Sequence, residues 1–272
     1  MNDKVCVEFL QWALPELHMC WDGFRKVRSQ VCKRIHRRLQ SLQLQDVAAY
    51  RDYLQQHREE WAILDGLCRV TISRFYRDRL VFSTLQSAIF PELLRQMRGR
   101  DETRLRIWSA GCAAGEEPYS LSILWECDVK ERTANTKIEI IATDSDQRLL
   151  DRAMKACYPY SSIRNVPEDR RRRAFVETDG SFCLRRAFRK EVDFMCQDLR
   201  VETPPGIFDL ILCRNLVFTY FDDELQRRIL RRLADVLHPQ GLLVIGIHET
   251  LPQDYDAFEA FSKRLGIYQR RS

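Results

Sequence analysis

The sequence predicts an α/β protein built on a doubly wound, mostly parallel sheet, with a small helical region in front of it. Three observations carry this. Apolar strand-like runs alternate with helical patterns from about residue 104 onward, the first run ends in a turn with two glycines, and purely helical periodicity is confined to roughly the first seventy residues.

Taken in order, Val27, Val31, Ile35, Leu39 and Leu42 recur at helical spacing, while Arg28, Lys33, Arg34, Arg37 and Arg38 crowd the rest of that segment. Gln45-Asp46 to Gln56 and Glu59 to Val70 suggest two further helices, which gives a helical domain over 1–78 and an α/β domain over 79–272. Leu105, Ile107 and Trp108 supply the first strand. It runs into a turn at Gly111 and Gly115 and then a helix opening on Glu116 and Glu117. Lys137 to Thr143 reads as a second strand tipped by Asp144, and Asp146 to Tyr158 as a helix with Leu149, Leu150, Ala153 and Met154 on one side. Phe175 to Phe188 reads as a hairpin turning at Asp179-Gly180, an insertion spanning about 174–190. Glu191 to Gln197, Phe208 to Cys213 and Gly241 to Ile247 complete the strands. Asp222 and Asp223 open a helix with Leu225, Ile229, Leu233, Val236 and Leu237, closed by His238-Pro239-Gln240-Gly241. The whole is a Rossmann-like arrangement.

Such sheets bind ligands beyond the carboxyl ends of their strands, where Gly111, Asp144, Asp198 and Arg214 all fall. Glycine at 111 and 115 permits unusual dihedrals and leaves no Cβ between the backbone and a ligand. An acid at the tip of the second strand is placed to accept ribose hydroxyls. The turn lacks the third glycine of a dinucleotide fingerprint, and Glu116 and Glu117 would repel a pyrophosphate at the helix start. The expected cofactor therefore has a ribose and no phosphates. S-adenosylmethionine fits, because its amino group and sulfonium are cationic.

Six strings occur in order: T-I-S-R-F-Y-R-D (Thr71 to Asp78), W-S-A-G-C-A-A-G-E-E-P-Y-S (Trp108 to Ser120), A-T-D-S-D (Ala142 to Asp146), Asp198-Leu199, L-C-R-N (Leu212 to Asn215) and T-Y-F-D (Thr219 to Asp222). Together they resemble the CheR family, chemotaxis methyltransferases that move a methyl group from S-adenosylmethionine to glutamate side chains of chemoreceptors. The resemblance implies a Rossmann-like methyltransferase domain in which Glu117 holds the methionine amino end and Asp144 the ribose. Asp198, Leu199, Cys213 and Arg214 would line the adenine side, and Gly111 the turn. Thr71, Ser73 and Arg77 match the segment by which the helical domain reaches the cofactor, with Arg77 at the point of methyl transfer and Tyr220 adding a hydroxyl there. The family's basic helix faces its acidic substrate, and its β-subdomain can dock a receptor tail. The implied partner is a helical, chemoreceptor-like signalling protein, met by a monomeric, cytoplasmic enzyme.

Departures cluster on the acceptor side. One extra residue separates Asn215 from Tyr220, so either the loop bulges and Tyr220 keeps its place, or Thr219 or Phe218 takes it. Thr71 stands where the family has asparagine and Arg74 where it has alanine. Gly246-Ile247-His248-Glu249 stands where the family has Gly-His-Ser-Glu. Two other readings stay open: a methyltransferase with a different carboxylate or amide acceptor, and a non-catalytic regulator that binds the cofactor.

Composition narrows the rest. The 272 residues are 45% apolar, enough to bury a sizeable core. No two of the ten cysteines lie closer than 12 positions, so zinc spacing is missing, no metal is expected, and free thiols in a reducing compartment are the expectation. The five histidines form no constellation. No stretch approaches the roughly 18 apolar residues that span a bilayer, so membrane insertion is not expected. A net charge of +5 suits an acidic partner. Nucleic acid is disfavoured, because the basic helix has no interleaved aromatics to stack bases.

Overall fold

A computed structural model of the chain describes residues 2–133, 136–253 and 255–272. It divides into two compact units, one of Met1–Thr71 with Val217–Gln226 and one of Ile72–Leu216 with Arg227–Ser272.

The first unit is helical: α1 (Asp3–Glu16), α2 (Trp21–Phe24), α3 (Arg28–Ser41), α4 (Val47–Gln56) and α5 (Glu60–Cys68). Local chemistry sets the helix starts. The Asn2 side chain accepts from the Lys4 amide at 3.2 Å and that of Asp46 from the Ala49 amide at 2.9 Å, each satisfying an amide that the helix itself cannot. Val31, Ile35 and Leu39 form the buried stripe of α3, as their spacing predicts. The basic residues of α3 do not all face water, however. Arg28 pairs with Asp3, Arg34 donates to the carbonyls of Leu67 and Arg69, and Arg38 forks onto buried Glu60 at 2.9 and 2.6 Å. Lys33 and Arg37 are the exposed members of the set. Glu60 also accepts the Tyr50 hydroxyl at 2.8 Å. Burial pushes its carboxyl up, but the Arg38 fork and the Tyr50 hydroxyl overcome this and hold it below the ordinary range.

The second unit begins with α6 (Arg79–Thr84), which continues through a π-helical turn at Leu85–Ile89 into α7 (Phe90–Gly99). There follow β1 (Arg104–Ala110), α8 (Glu116–Leu124), β2 (Lys137–Asp144), α9 (Gln147–Lys155), β3 (Cys157–Tyr158), α10 (Tyr160–Ile163), α11 (Glu168–Ala174), β4 (Phe175–Thr178), β5 (Ser181–Leu184), β6 (Val192–Cys196) and β7 (Phe208–Leu212). The chain then forms α12 (Val217–Tyr220) with the helical unit, and α13 (Asp223–Asp235), β8 (Leu237–Val244), β9 (Phe258–Ser262) and β10 (Ile267–Arg270) complete it. The main sheet has the order β6-β2-β1-β7-β8-β10-β9. Its first five strands are parallel, and β10 is antiparallel to both β8 and β9. The chain leaves β1 toward β2 and β6 and returns on the other side as β7 and β8. Strand order therefore reverses at β1, which puts the ligand-binding crevice at its carboxyl end. Every residue of β7 is buried, as a central parallel strand requires.

Three expectations are corrected. The helix after Asp144 stops at Lys155, because Ala156 turns left-handed at φ 53° and sends Cys157–Tyr158 into a three-stranded sheet of order β3-β5-β4. The hairpin itself turns at Asp179 and Gly180, both left-handed at φ 50° and 73°, as a two-residue turn of this sense demands. His238 to Gly241 belongs to β8 rather than closing a helix, with Gln240 at φ 64° and a register shift opposite Phe208/Leu210. The thiols are not all free. Cys6 bonds Cys32 and Cys157 bonds Cys183, each across 26 positions of sequence. Spacing could not reveal these pairs, because each joins separate elements. On chain-entropy grounds, a loop of that length stabilises by about 3–4 kcal/mol.

Replacing Glu60 strands Arg38 and the Tyr50 hydroxyl. Since Arg38 is about a quarter exposed, Glu60→Gln should cost roughly 2–4 kcal/mol at neutral pH, seen as a lower urea midpoint. A depressed carboxyl stabilises above its unfolded value and loses that contribution as pH falls, so the gap between wild type and variant should close on acidification below the ordinary value of 4.5.

Candidate active site

The turn after β1 is held by the end of β2. Amides of Gly111 and Cys112 both donate to the Thr143 carbonyl at 2.8 and 2.9 Å, and that of Ala113 donates to Asp144 Oδ2 at 2.9 Å. Asp144 Oδ1 accepts from the Asp146 amide at 2.9 Å. Gly111 and Gly115 are left-handed at φ 75° and 87°, as the sequence predicts. Their missing Cβ atoms do a different job from the one expected. A Cβ on Gly111 would lie 2.4 Å from Leu216 Cδ2, and one on Gly115 would lie 2.9 Å from the Ala153 Cβ, so the spaces are filled by protein. Because three turn amides already serve β2, they do not form a phosphate cradle. That matches a cofactor with a ribose and no pyrophosphate, and the carboxylates Glu117 and Asp144 at these strand ends suit a cationic one.

Beside that turn lies a buried cation. Arg214, 2% exposed in its side chain, follows β7 and donates to Glu117 Oε2 at 3.2 Å, to Asp78 Oδ2 at 2.6 Å and to the Arg77 carbonyl at 3.1 Å. Glu117 Oε1 in turn accepts the Ser109 hydroxyl at 2.8 Å. The loop from Ser73 to Asp78 is locked at several points: Phe75 N donates to the Ser162 carbonyl at 3.0 Å, Tyr76 N to Ser120 Oγ at 3.0 Å, and Arg77 Nη1 to the Ile72 carbonyl at 3.1 Å. Tyr76 and Asp78 are left-handed at φ 50° and 61°, an uncommon backbone for such residues that this anchoring sustains. Arg77, Glu117 and Arg214 are thereby gathered around one connected set of bonds, with Gly111 and Asp144 at the adjoining strand ends, while Ser73 meets the Glu116 side chain.

Asp198 is paired with the Arg200 fork at 3.0 and 2.7 Å and accepts the Arg200 amide at 2.9 Å, while Leu199 is buried next to it. Cys213 is fully buried, its amide on the Val244 carbonyl at 2.9 Å. Sequence reasoning assigned no role to Glu249. Its Oε2 accepts the amides of Asn215 at 2.8 Å and Gly246 at 2.5 Å, joining the loops after β7 and β8, and the acid at the end of G-I-H-E is the signal that could have found it. Thr71 and Tyr220 belong to the helical unit. Thr71 is exposed. Asn215 turns left-handed at φ 55° before α12, where the Tyr220 carbonyl accepts from the Cys20 amide at 2.9 Å and its ring meets Phe24 edge-on at 5.1 Å. Gly23 is required there, since a Cβ would lie 2.0 Å from the Thr219 carbonyl oxygen.

Two groups near the turn are poor ions. Burial raises the Cys112 thiol well above its usual value, with the Asp144 and Glu117 charges adding to the effect. Glu116, 4% exposed, is pushed up by burial, and its Oε2 has no hydrogen-bond partner. At the other end of the strands the fold gathers Glu102, Asp209 and His238, a grouping the spacing did not foretell. Arg100 bonds both carboxylates there, so the cluster carries its own counter-charge.

A raised carboxyl stabilises only while protonated and loses that contribution as pH rises. Glu116→Gln should therefore unfold at a higher temperature than wild type at neutral pH, with the advantage vanishing toward 4.5, the ordinary value. A thermal melt series across pH checks it, and a variant less stable at every pH would refute the reading.

Comparison with known proteins identifies the family. Residues 71–267 match the model of the CheR methyltransferase, SAM binding domain, and residues 26–64 that of the CheR methyltransferase, all-alpha domain. The chemotaxis protein methyltransferase of Listeria innocua is 34% identical over 209 residues, covering 75% of this chain and 76% of the relative. That of Escherichia coli is 33% identical over 230 residues, covering 82% and 76%. With both family domains matched in order and the predicted strings standing at the ends of β1, β2 and β7, the chain belongs to the CheR methyltransferase family and is an S-adenosylmethionine-dependent methyltransferase.

Proposed function

We propose that this protein transfers the methyl group of S-adenosylmethionine to a glutamate side-chain carboxylate on a helical, chemoreceptor-like signalling protein, working as a cytoplasmic monomer without nucleic acid. The observation that carries the reading is the Arg214 network, which ties the Arg77 loop to Glu117 beside the Asp144-anchored turn. No described helix is long and apolar enough to cross a membrane.

The cofactor supplies an activated methyl group on a sulfonium. What the chain must do is orient and desolvate. Asp144 would accept ribose hydroxyls, since a carboxylate oxygen that takes one amide can take a second donor. Glu117 would receive the cationic amino end, with Asp198, Leu199 and Cys213 toward the base; Arg214, expected on that side too, spends its side chain on Glu117, Asp78 and the Arg77 carbonyl instead. The acceptor glutamate, at an unperturbed pKa near 4.3, is already an anion at neutral pH and needs no general base. The planar Arg77 donors suit holding such a carboxylate at two points. From the family resemblance, Thr71 and Ser73 would contribute to the cofactor pocket and Tyr220 would add a hydroxyl at the transfer step.

Asp144→Ala should abolish binding of S-adenosylhomocysteine measured by calorimetry. Arg77→Ala should leave that affinity within a few-fold and cut transfer on the order of 100-fold, the scale of losing alignment. Equal losses in both measurements would overturn the role given to Arg77. Incubation of methyl-labelled cofactor with cell membranes should place base-labile label on a receptor-sized protein, and alkali-stable or small-molecule label would favour a different acceptor.

A further inference from the structure

We infer that Cys157 and Cys183 form a reversible thiol–disulfide site whose state sets the rigidity of the cofactor turn. The two residues face each other across β3 and β5, with Cα atoms 3.9 Å apart. The neighbouring pair, Ala156 and Leu184, carries the ladder bond from Leu184 N to the Ala156 carbonyl at 2.8 Å. Cys157 and Cys183 therefore occupy the non-hydrogen-bonded position, where opposed side chains come closest. Their surroundings differ from those of the other bridge. Cys157 is exposed and Cys183 half-buried, whereas in the other bridge Cys32 is half-buried and Cys6 only 1% exposed, so neither of its sulfurs is on an exposed residue. Access is what makes a disulfide exchangeable.

The bridge bears on the site through the next residue. Tyr158 is buried, and its hydroxyl donates to the Ala114 carbonyl of the cofactor turn at 2.7 Å. Its ring also meets Phe75 edge-on at 4.8 Å, inside the loop that carries Ser73 and Arg77. Strand β3 is only two residues long, so the covalent link is a large part of what holds Tyr158 to β5. Closed, the bridge fixes the strand that pins the turn. Open, it leaves two backbone pairs for the same task.

Chemically the exchange needs only a small disulfide. The Cys157 thiolate attacks one sulfur of glutathione disulfide and releases one glutathione thiolate. The Cys183 thiolate then attacks the Cys157 sulfur of the mixed disulfide, forming the protein bridge and releasing the second. Two protein thiols are oxidised, one glutathione disulfide is reduced to two thiols, and the two protons pass to the released thiolates or solvent.

The site would be tested on the wild-type protein equilibrated with glutathione disulfide or with dithiothreitol. Bridging is read by alkylation and peptide mass, and turn rigidity by amide hydrogen exchange over Gly111–Gly115. We expect a Cys157–Cys183 cross-link under oxidant, exchange of the turn slower by roughly three-fold or more, and S-adenosylhomocysteine bound about three- to ten-fold tighter. The response should survive in Cys6→Ser/Cys32→Ser and vanish in Cys157→Ser. Full alkylation of both cysteines after oxidant, or a cross-link with unchanged exchange in the turn, would overturn the inference. It rests on the proposed function only for the cofactor readout: loss of ligand binding in both states would count against the methyltransferase site, and the exchange measurement would still decide the switch.

Discussion

One buried guanidinium organises the site. Arg214 lies almost wholly out of solvent, and a charge there is tolerable because Asp78, Glu117 and the Arg77 carbonyl meet its two Nη groups, while its Nε is buried without a hydrogen-bond partner. The requirement runs both ways. Asp78 and Tyr76 hold left-handed backbone that costs free energy, and Asp78 is kept in it by the ion pair. A loop that would otherwise relax is thus fixed to the end of β7, while the same fork holds the carboxylate at the head of α8. Arginine suits this better than lysine, because a planar fork can serve two carboxylates and a carbonyl in one geometry.

The second constraint is where the turn spends its amides. A dinucleotide site keeps such amides for phosphate, whereas here those of Gly111, Cys112 and Ala113 serve Thr143 and Asp144. Asp144 anchors the turn and is also the acid proposed for the ribose, so on that proposal cofactor recognition and turn geometry share one side chain. The pair of acids opening α8 divides similarly. Glu117 is ion-paired toward the site, while Glu116 is buried and pushed toward its neutral form.

Much of this was legible because strand, turn and helix signals are local. Alternation of β1, β2, β6, β7 and β8 with helices predicted the sheet, and Asp179-Gly180 predicted its hairpin from two residues. What was hidden depends on contacts between distant positions. Nothing near Ala156 announces a left-handed residue, so the helix seemed to continue where β3 begins. Cysteine spacing cannot say that positions 157 and 183 are opposed across strands. Counting positive charges on α3 likewise missed that Arg34 and Arg38 turn inward, a choice made by Glu60 and by carbonyls of α5 and the residue after it.

These constraints bear on which groups of the site can carry charge. Burial raises both the Cys112 thiol and the Glu116 carboxyl above their ordinary values, and arginine as a residue type keeps its charge across the working range. A reaction needing proton transfer would require a base with a value near neutrality. A reaction between a carboxylate that arrives ionised and an activated methyl group needs none. Rigidity of the Arg77 loop and of the cofactor turn is then what the fold must provide, and both are secured by side chains outside them: Arg214 and Tyr158 donate to their carbonyls, and Ser120 and Asp144 accept from their amides.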